Sequence, residues 1–506
     1  VAGRAYLAID LGAESGRAIL GVLDRGELSL REMHRFANGP LPLPTGLHWN
    51  LTGLWREVLE GARRAAEWSR KEGIDLVSLG VDAWGVDWGL VGRSGELLGL
   101  PHCYRDQRFA KAYEKTLNKL GAESIYAATG IQLMPINTLF QLVAAHEAEP
   151  KVLAQAQSLL FMPDLIHYFL TGKTVVEASI ASTSQMIDPR SGRWATELLE
   201  RLGLPTHFLG DIVPSGTPIA ELLPQVAAEV GVDPGLRVIA PPAHDTASAV
   251  AAAPATGDGH WCYISSGTWS LMGAELEQPC LSHKAREARF TNERGVGGTI
   301  RFLKNIIGLW LLQECRKSFE NRGQSHDYAQ LTEAAAGAEP FRTLLDVRYE
   351  PLMSPGEMPE KIATFARATG QPEPDSAGRF ARCCLETLAL AYRQTLEQLE
   401  DALERKFEVV HILGGGTRNA LLNQMTADAT GRRVVAGPTE ATAIGNLLVQ
   451  AMGSGDIKDR HEIRRVVASS FEPVTTLPRD AGAWDEAYAR FLEIQQHHPS
   501  ERLRPH

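Results

Sequence analysis

The run Val238-Ile239-Ala240-Pro241-Pro242-Ala243-His244-Asp245-Thr246-Ala247-Ser248-Ala249 sets a carboxylate near the middle of a chain of 506 residues. Val238 to Ala240 read as a buried strand, the two prolines end it, and the small residues from Ala247 suit a tightly packed helix start. Asp245 then lies where strand gives way to helix, on rigid elements, facing a cleft, near helix amides that favour negative charge. An aspartate so placed can act as a general base; it can equally do no more than cap the helix.

Three further stretches have the makings of phosphate sites. Tyr6 to Asp10 reads as a strand, followed by Leu11-Gly12-Ala13-Glu14-Ser15-Gly16-Arg17 and a second strand from Ala18 to Val22. The tip of this hairpin carries an acid, a hydroxyl and an arginine. Its turn amides with Ser15 and Arg17 can hold a polyphosphate, and Asp10 can hold a hydrated magnesium ion, although most turns of this kind only turn. Trp261 to Gly273 repeats the pattern of strand, polar glycine turn and strand, an internal duplication of very long period. Two such hairpins, one per lobe, can close on a phosphate chain from both sides. Third, the strand Val409 to Leu413 runs into Gly414-Gly415-Gly416-Thr417-Arg418-Asn419 before a helix from about Ala420 to Ala429. Three glycines let the backbone lie flat against a ligand at a helix N-terminus, in a spacing that is neither a Walker A loop nor a GxGxxG fingerprint. The small-residue helix that begins within Gly437 to Asn446 is expected beneath the same loop.

A fourth cluster suits a polyol. The apolar run Leu76 to Val81 ends in Asp82-Ala83-Trp84-Gly85-Val86-Asp87-Trp88-Gly89. Aromatic faces stack on the C–H surfaces of sugars while carboxylates take the hydroxyls; both tryptophans can instead be structural. Tyr104-Arg105-Asp106-Gln107-Arg108 either adds hydroxyl contacts or is a solvated helix start.

These residues need a frame. A third strand from Leu28 to Phe36 and a helix from Leu54 to Arg70 complete the first unit, and Gly121 to Leu223 is helix-rich and chemically quiet. Ala252 to Gly259 is small and turn-rich, a hinge between two lobes. Asn305 and Gln313 flank a buried helix from Ile306 to Leu312, with Asn305 at its start. The region 320–371 reads as irregular surface, and a long helix from Ser376 to Arg405 leads into the strand before the glycines. Helix with a frayed, Pro-ended tail is expected past Gly453. This length asks for two to four domains or two large lobes. Apolar content of 44% and charged content of 22% are ordinary for a globular protein, and a net charge of −10 argues against a general nucleic-acid binder. No apolar run reaches membrane-spanning length and the start has no secretory pattern, so a cytoplasmic protein is expected. The six cysteines are scattered without CxxC spacing, as buried free thiols would be.

The order of these parts resembles the FGGY carbohydrate kinases of the actin-like ATPase superfamily, over essentially the whole chain. The match rests on Asp10-Leu-Gly-Ala-Glu-Ser-Gly-Arg17, Asp82-Ala-Trp-Gly-Val-Asp87, His244-Asp-Thr-Ala-Ser-Ala249, Ser265-Ser-Gly-Thr-Trp-Ser-Leu-Met-Gly273, Leu303-Lys-Asn-Ile-Ile-Gly-Leu-Trp-Leu-Leu-Gln313 and Gly414-Gly-Gly-Thr-Arg-Asn419. The resemblance implies an α/β fold of two ribonuclease-H-like (actin-like ATPase) lobes with a central cleft and hinge. Residues 1–250 form the sugar-binding lobe and 251–506 the ATP-binding lobe, the last helix packing back on the first. It implies an ATP-dependent kinase acting on a ketose, with the C1 hydroxyl of L-rhamnulose first and L-fuculose, L-ribulose or D-xylulose as alternatives. A catalytically silent sugar sensor on the same scaffold is the rival from another class.

By the same resemblance Asp245 is the proton acceptor, and Gly85, His244, Thr246 and Asn305 meet the sugar, to which the residue reading adds Trp84 and Asp87. Ala13, Glu14, Ser15, Gly16, Arg17, Thr268, Gln313 and Gly415 serve ATP, with Asp10 holding Mg2+ through water. The implied partners are the sugar and ATP, without nucleic acid or membrane, in a monomer or homodimer. Two positions depart from the wider family: Ala13 replaces the Thr of its Asp-x-Gly-Thr opening, and Asn419 the Ser often found near the end of the glycine loop.

Overall fold

Tyr6-Leu7-Ala8-Ile9 is apolar on both sides, which suits only a strand covered on both faces. In the structure, a computed structural model that describes residues 3–257, 260–480 and 482–497, the strand Arg4–Leu11 is buried from Ala5 onward and sits inside a six-stranded sheet. From edge to edge the strands are Thr217–Glu221, Arg237–Ala240, Asp75–Ala83, Arg4–Leu11, Ser15–Asp24 and Glu27–Ala37. The last three form an antiparallel meander, the two before them run parallel to Arg4–Leu11, and the Thr217 edge is antiparallel.

The second sheet repeats that plan. Val474–Thr476, Arg433–Ala436, Val409–Leu413, Trp261–Ser266, Trp269–Leu276 and Ile300–Ile307 follow one another with the same sense at every step, and Thr291–Arg294 adds a seventh strand. The duplication read from two hairpins therefore extends to whole sheets.

Each sheet has its own apolar core, and a third core lies between them. The helices Asp245–Ala251 and Ala441–Gly453 cross there, and their small residues are what the crossing demands. A Cβ on Gly445 would stand 1.8 Å from the Ser248 carbonyl oxygen. Although Ala441–Gly453 begins just after the glycine loop, its body packs on the first sheet: Gln450 Nε2 donates to the Leu7 carbonyl at 2.9 Å, and Asn446 Nδ2 donates to Asp82 Oδ2 at 2.5 Å. A lobe boundary at 250/251 falls in the last turn of Asp245–Ala251. Of the expected hinge, Ala252, Ala253 and Ala255 are buried in the shared core, and positions 258 and 259 lie outside the described residues.

Three expectations change. The final helix, Gly482–His497, does not return to the first lobe; Trp484, Ala487, Tyr488 and Phe491 form an apolar stripe buried in the second core. The helix Arg460–Ser470, like Ala441–Gly453, does reach back, with Ser470 Oγ accepting from the Leu28 amide at 2.8 Å. Asn305 lies within the strand Ile300–Ile307, which is hydrogen-bonded on both edges, to Trp269–Leu276 and Thr291–Arg294; Gly308 then turns the chain and the helix starts at Trp310. The region 320–371 holds the helices Tyr328–Ala336 and Met358–Ala368, which bury Leu331, Ile362 and Phe365 in the second core. Prolines and glycines cut it into pieces too short to show a long period. All six cysteines are free, five of them buried. Among the described residues no helix is long and apolar enough to cross a membrane. The Pro-ended tail lies outside the described residues.

Candidate functional site

Parallel pairing sets Asp10 beside Asp82, and the Ala83 amide donates to the Ala243 carbonyl at 2.9 Å. Asp10, Asp82 and Asp245 thus gather at the C-terminal ends of three neighbouring strands, where ligands enter open α/β sheets. Asp82 is fully buried and its carboxyl is pushed well above the usual range, by burial first and then by the charges of Asp10 and Asp245, against the Asn446 hydrogen bond. Asp245 is also raised, by burial first and with a contribution from Asp10, while His244 and Thr246 pull it down.

Asp245 is the first residue of its helix, and the N-cap is His244. About a third of the Asp245 side chain, 34%, is open. Its Oδ1 accepts from the Thr246 amide at 2.5 Å and from Thr246 Oγ1 at 3.1 Å, and His244 Nε2 stands 3.4 Å away. Among the described residues nothing donates to Oδ2. Asp245 is therefore not the cap, and only one of its two oxygens is satisfied within the helix start.

The first hairpin closes with the Gly12 amide donating to the Ser15 carbonyl at 2.9 Å, leaving Glu14 and Ser15 exposed at the tip. Arg17 joins Asp10 Oδ2 at 2.5 Å and also Glu440, which precedes the crossing helix of the second half. Burial alone would lower the Arg17 pKa, but Asp10 and Glu440 hold it above its ordinary value. In the second lobe the Trp310 amide donates to the Thr268 carbonyl at 3.1 Å, tying the helix that carries Gln313 to the second hairpin.

The glycine loop lies against that hairpin. A Cβ on Gly416 would fall 2.0 Å from Ser266 Oγ, and Gly414 has φ of +82°. Gly415 has nothing within 4 Å of an added Cβ, so it faces open space. The hydroxyls of Thr417 and Thr439 meet at 2.9 Å, so the start of the crossing helix braces the loop while its body supports the other lobe.

Opposite lies the wall read as sugar-binding. Gly85 packs so closely on Thr183 that a Cβ would sit 3.2 Å from it, and Val86 has φ of +68°, a strained conformation for a β-branched residue, held by its amide donating to Thr183 Oγ1 at 3.1 Å. Trp84 is largely covered, its ring 4.1 Å from that of Trp49. Asp87 is not a hydroxyl acceptor in the cleft. Its Oδ2 accepts from the indoles of Trp49 at 2.6 Å and Trp84 at 3.0 Å and from the Tyr104 amide at 3.1 Å, and its Oδ1 accepts from Gln141 at 2.9 Å. Burial pushes its pKa up to about 6 against the pull of these donors. Trp88 faces away, into a separate cavity of about 720 Å³ lined by His48, Phe109 and Val152. Asn305 reaches across the lobes, Nδ2 donating to Gln132 Oε1 at 3.4 Å.

Glu440, Thr183, Gln132, Glu293 and Arg301 carry no signal of a role in the sequence. Thr183 and Gln132 come from the stretch judged chemically quiet, and their neighbours carry no local signal. Arg301 is fully buried, with Nη2 2.8 Å from Glu293 Oε2 and 3.1 Å from His244 Nδ1.

The sequence pattern of the N-terminal domain of the FGGY family of carbohydrate kinases matches residues 5–252, and that of its C-terminal domain matches residues 262–454. The chain belongs to the FGGY family. This FGGY kinase is 42% identical over 486 residues to a rhamnulokinase of Bacteroides thetaiotaomicron, covering 96% of this chain and 98% of that one. It is 38% identical to a rhamnulokinase of Bacillus subtilis, covering 94% and 96%. A xylulose kinase from Rhodospirillum rubrum shares its fold, with a TM-score of 0.79 at 19% identity, covering 99% of this chain and 100% of that one. An FGGY kinase is an ATP-dependent sugar kinase on two actin-like lobes, and ATP is its co-substrate.

Proposed function

We propose that this FGGY kinase transfers the γ-phosphoryl group of ATP to the C1 hydroxyl of L-rhamnulose, giving L-rhamnulose 1-phosphate and ADP. The observation that carries the choice of sugar is the 42% identity to a rhamnulokinase along nearly the full length of both chains. In this reading Oδ2 of Asp245 accepts the hydroxyl proton while the C1 oxygen attacks the γ-phosphorus in line. The new O–P bond forms as the bond to the ADP oxygen breaks, and the proton passes from Asp245 to solvent. Gly85, His244, Thr246 and Asn305 face the sugar, with Trp84 behind them. Ala13 to Arg17, Thr268, Gln313 and Gly415 receive the nucleotide, and closure of the lobes excludes water.

Magnesium fits as a hydrated ion. Among the described residues no cluster of three or more ligands could hold a metal directly. The Asp10 carboxylate and the buried, unpartnered Oδ1 of Asp82 suit an ion gripped through water and phosphate oxygens. When bound, it neutralises phosphate charge.

The test is ADP release measured with L-rhamnulose, L-fuculose, L-ribulose, D-xylulose and glycerol. L-Rhamnulose is expected to give the highest kcat/KM. Stimulation by none of the five would favour a silent sugar sensor. Asp245→Asn should lower kcat by roughly 10²- to 10⁴-fold with nucleotide affinity nearly intact; a variant with ordinary turnover would remove Asp245 from the reaction.

A further inference from the structure

His244 is gripped from the other lobe. Its backbone belongs to the first, where its amide donates to Ser179 Oγ at 3.1 Å. Its ring Nδ1 lies 3.1 Å from Arg301 Nη2 and 3.1 Å from Glu293 Oε2, both from strands of the second sheet. Arg301 is itself anchored, with Nε donating to the Arg294 carbonyl at 3.0 Å and Nη2 standing 2.8 Å from Glu293 Oε2.

A guanidinium can only donate. Nδ1 of His244 meets that donor and, at the same 3.1 Å, the carboxylate of Glu293, so the two groups together fix the plane of the ring. The other ring nitrogen, Nε2, stands 3.4 Å from Oδ1 of Asp245, where the Thr246 amide and hydroxyl already donate. Catalytic hydrogen bonds of this length commonly tighten once substrate is bound. A buried ion pair is weak evidence for a stabilising role, since desolvating two charges costs about as much as their attraction returns. What the pair does here is fix a ring plane beside the proposed base.

We propose that Arg301 and Glu293 are positioning residues for phosphoryl transfer: across the lobe interface they hold the His244 ring so that Oδ1 of Asp245 is engaged and Oδ2 alone remains for the hydroxyl proton. The inference rests on Asp245 being the base. It also adds to Asn305 a second contribution of the second lobe to the sugar-side chemistry.

The experiment compares full-length Arg301→Met, Arg301→Lys, Glu293→Gln and Asp245→Asn with the parent, using the sugar that gives the highest turnover in the panel above and checking folding by thermal midpoint. Arg301→Met should lower kcat roughly 10- to 100-fold, the scale of a small misplacement of a catalytic group. KM for ATP should stay within about two-fold of the parent and KM for the sugar should move less than kcat, which a merely structural loss of lobe docking would not produce. Arg301→Lys, which restores a donor, should recover part of kcat. Glu293→Gln, nearly isosteric, should lower kcat about five-fold by freeing Arg301, and it decides alone if Arg301→Met does not fold. Folded variants with kcat within two-fold of the parent, or with both KM values raised and kcat unchanged, overturn the proposal if Asp245→Asn has lost turnover. If Asp245→Asn keeps turnover, the assignment of the base fails first.

Discussion

Asp87 shows how a residue of the right type for sugar binding can be committed elsewhere. Two indole N–H groups, a backbone amide and a glutamine amide converge on its two oxygens, so it organises the wall behind the cleft. The sequence signalled the chemistry of Trp-Gly-x-Asp-Trp but not its direction, because burial of a carboxylate depends on Gln141, more than fifty positions away. Its titration gives a test. The folded pKa of about 6 lies above the ordinary 3.8. Between those values the folded state binds more proton than the unfolded state, so this group's contribution to stability falls as pH rises from about 4 to about 6 and is level above that. Asp87→Asn removes the titration and leaves the donors with a poorer acceptor, at a cost of about 1.5–3 kcal/mol. Urea unfolding at several pH values should show the advantage of the parent over the variant largest near pH 4 and shrinking toward pH 6. An advantage that grows with pH would reverse the assigned shift.

The strand–glycine–helix element after Leu413 was readable because its signal is local: an apolar strand, three glycines, then a helix. Why three are present was not readable. Gly416 is pressed on Ser266 of the second hairpin, whereas Gly415 faces open space. Gly416→Ala must lift the loop from its support, an overpacking cost of about 1–3 kcal/mol, and should lower both the thermal midpoint and nucleotide affinity. Gly415→Ala should leave the midpoint where it is and still raise KM for ATP, since the added methyl meets only what enters the cleft. If titration calorimetry found the two variants alike in both respects, the division of labour between these glycines would be wrong. The same contrast of local and distant signals explains the rest of the site. Asp245, the hairpins and the glycines were legible from neighbouring residues. Thr183, Gln132, Glu293 and Arg301 act only through partners brought near by the fold, as when Arg301 meets His244 57 positions away.

At the scale of the whole molecule, the shared core decides how many cooperative units the chain has. Two lobes with separate cores would ordinarily unfold separately. Here the helix Ala441–Gly453, from the second half of the sequence, is fastened to the first sheet through a buried amide. Gln450 donates to the Leu7 carbonyl at 2.9 Å and to Asn446 Oδ1 at 2.6 Å, and accepts from Ser78 Oγ at 2.8 Å. Neither sheet can shed its cover without exposing the other half's helix, so the lobes are expected to unfold together. Urea unfolding followed by tryptophan fluorescence, which reports on Trp49 and Trp84 in one core and Trp484 in another, should coincide with the loss of helical circular dichroism in a single transition. Gln450→Leu leaves the Leu7 carbonyl and the Ser78 hydroxyl buried without their partner. It should cost about 2–4 kcal/mol, and because the broken contacts join the halves, it should separate the two signals as well as lower the midpoint. A parent protein that already unfolds in two resolved steps would mean that the crossing helices hold the lobes in register without coupling their stability.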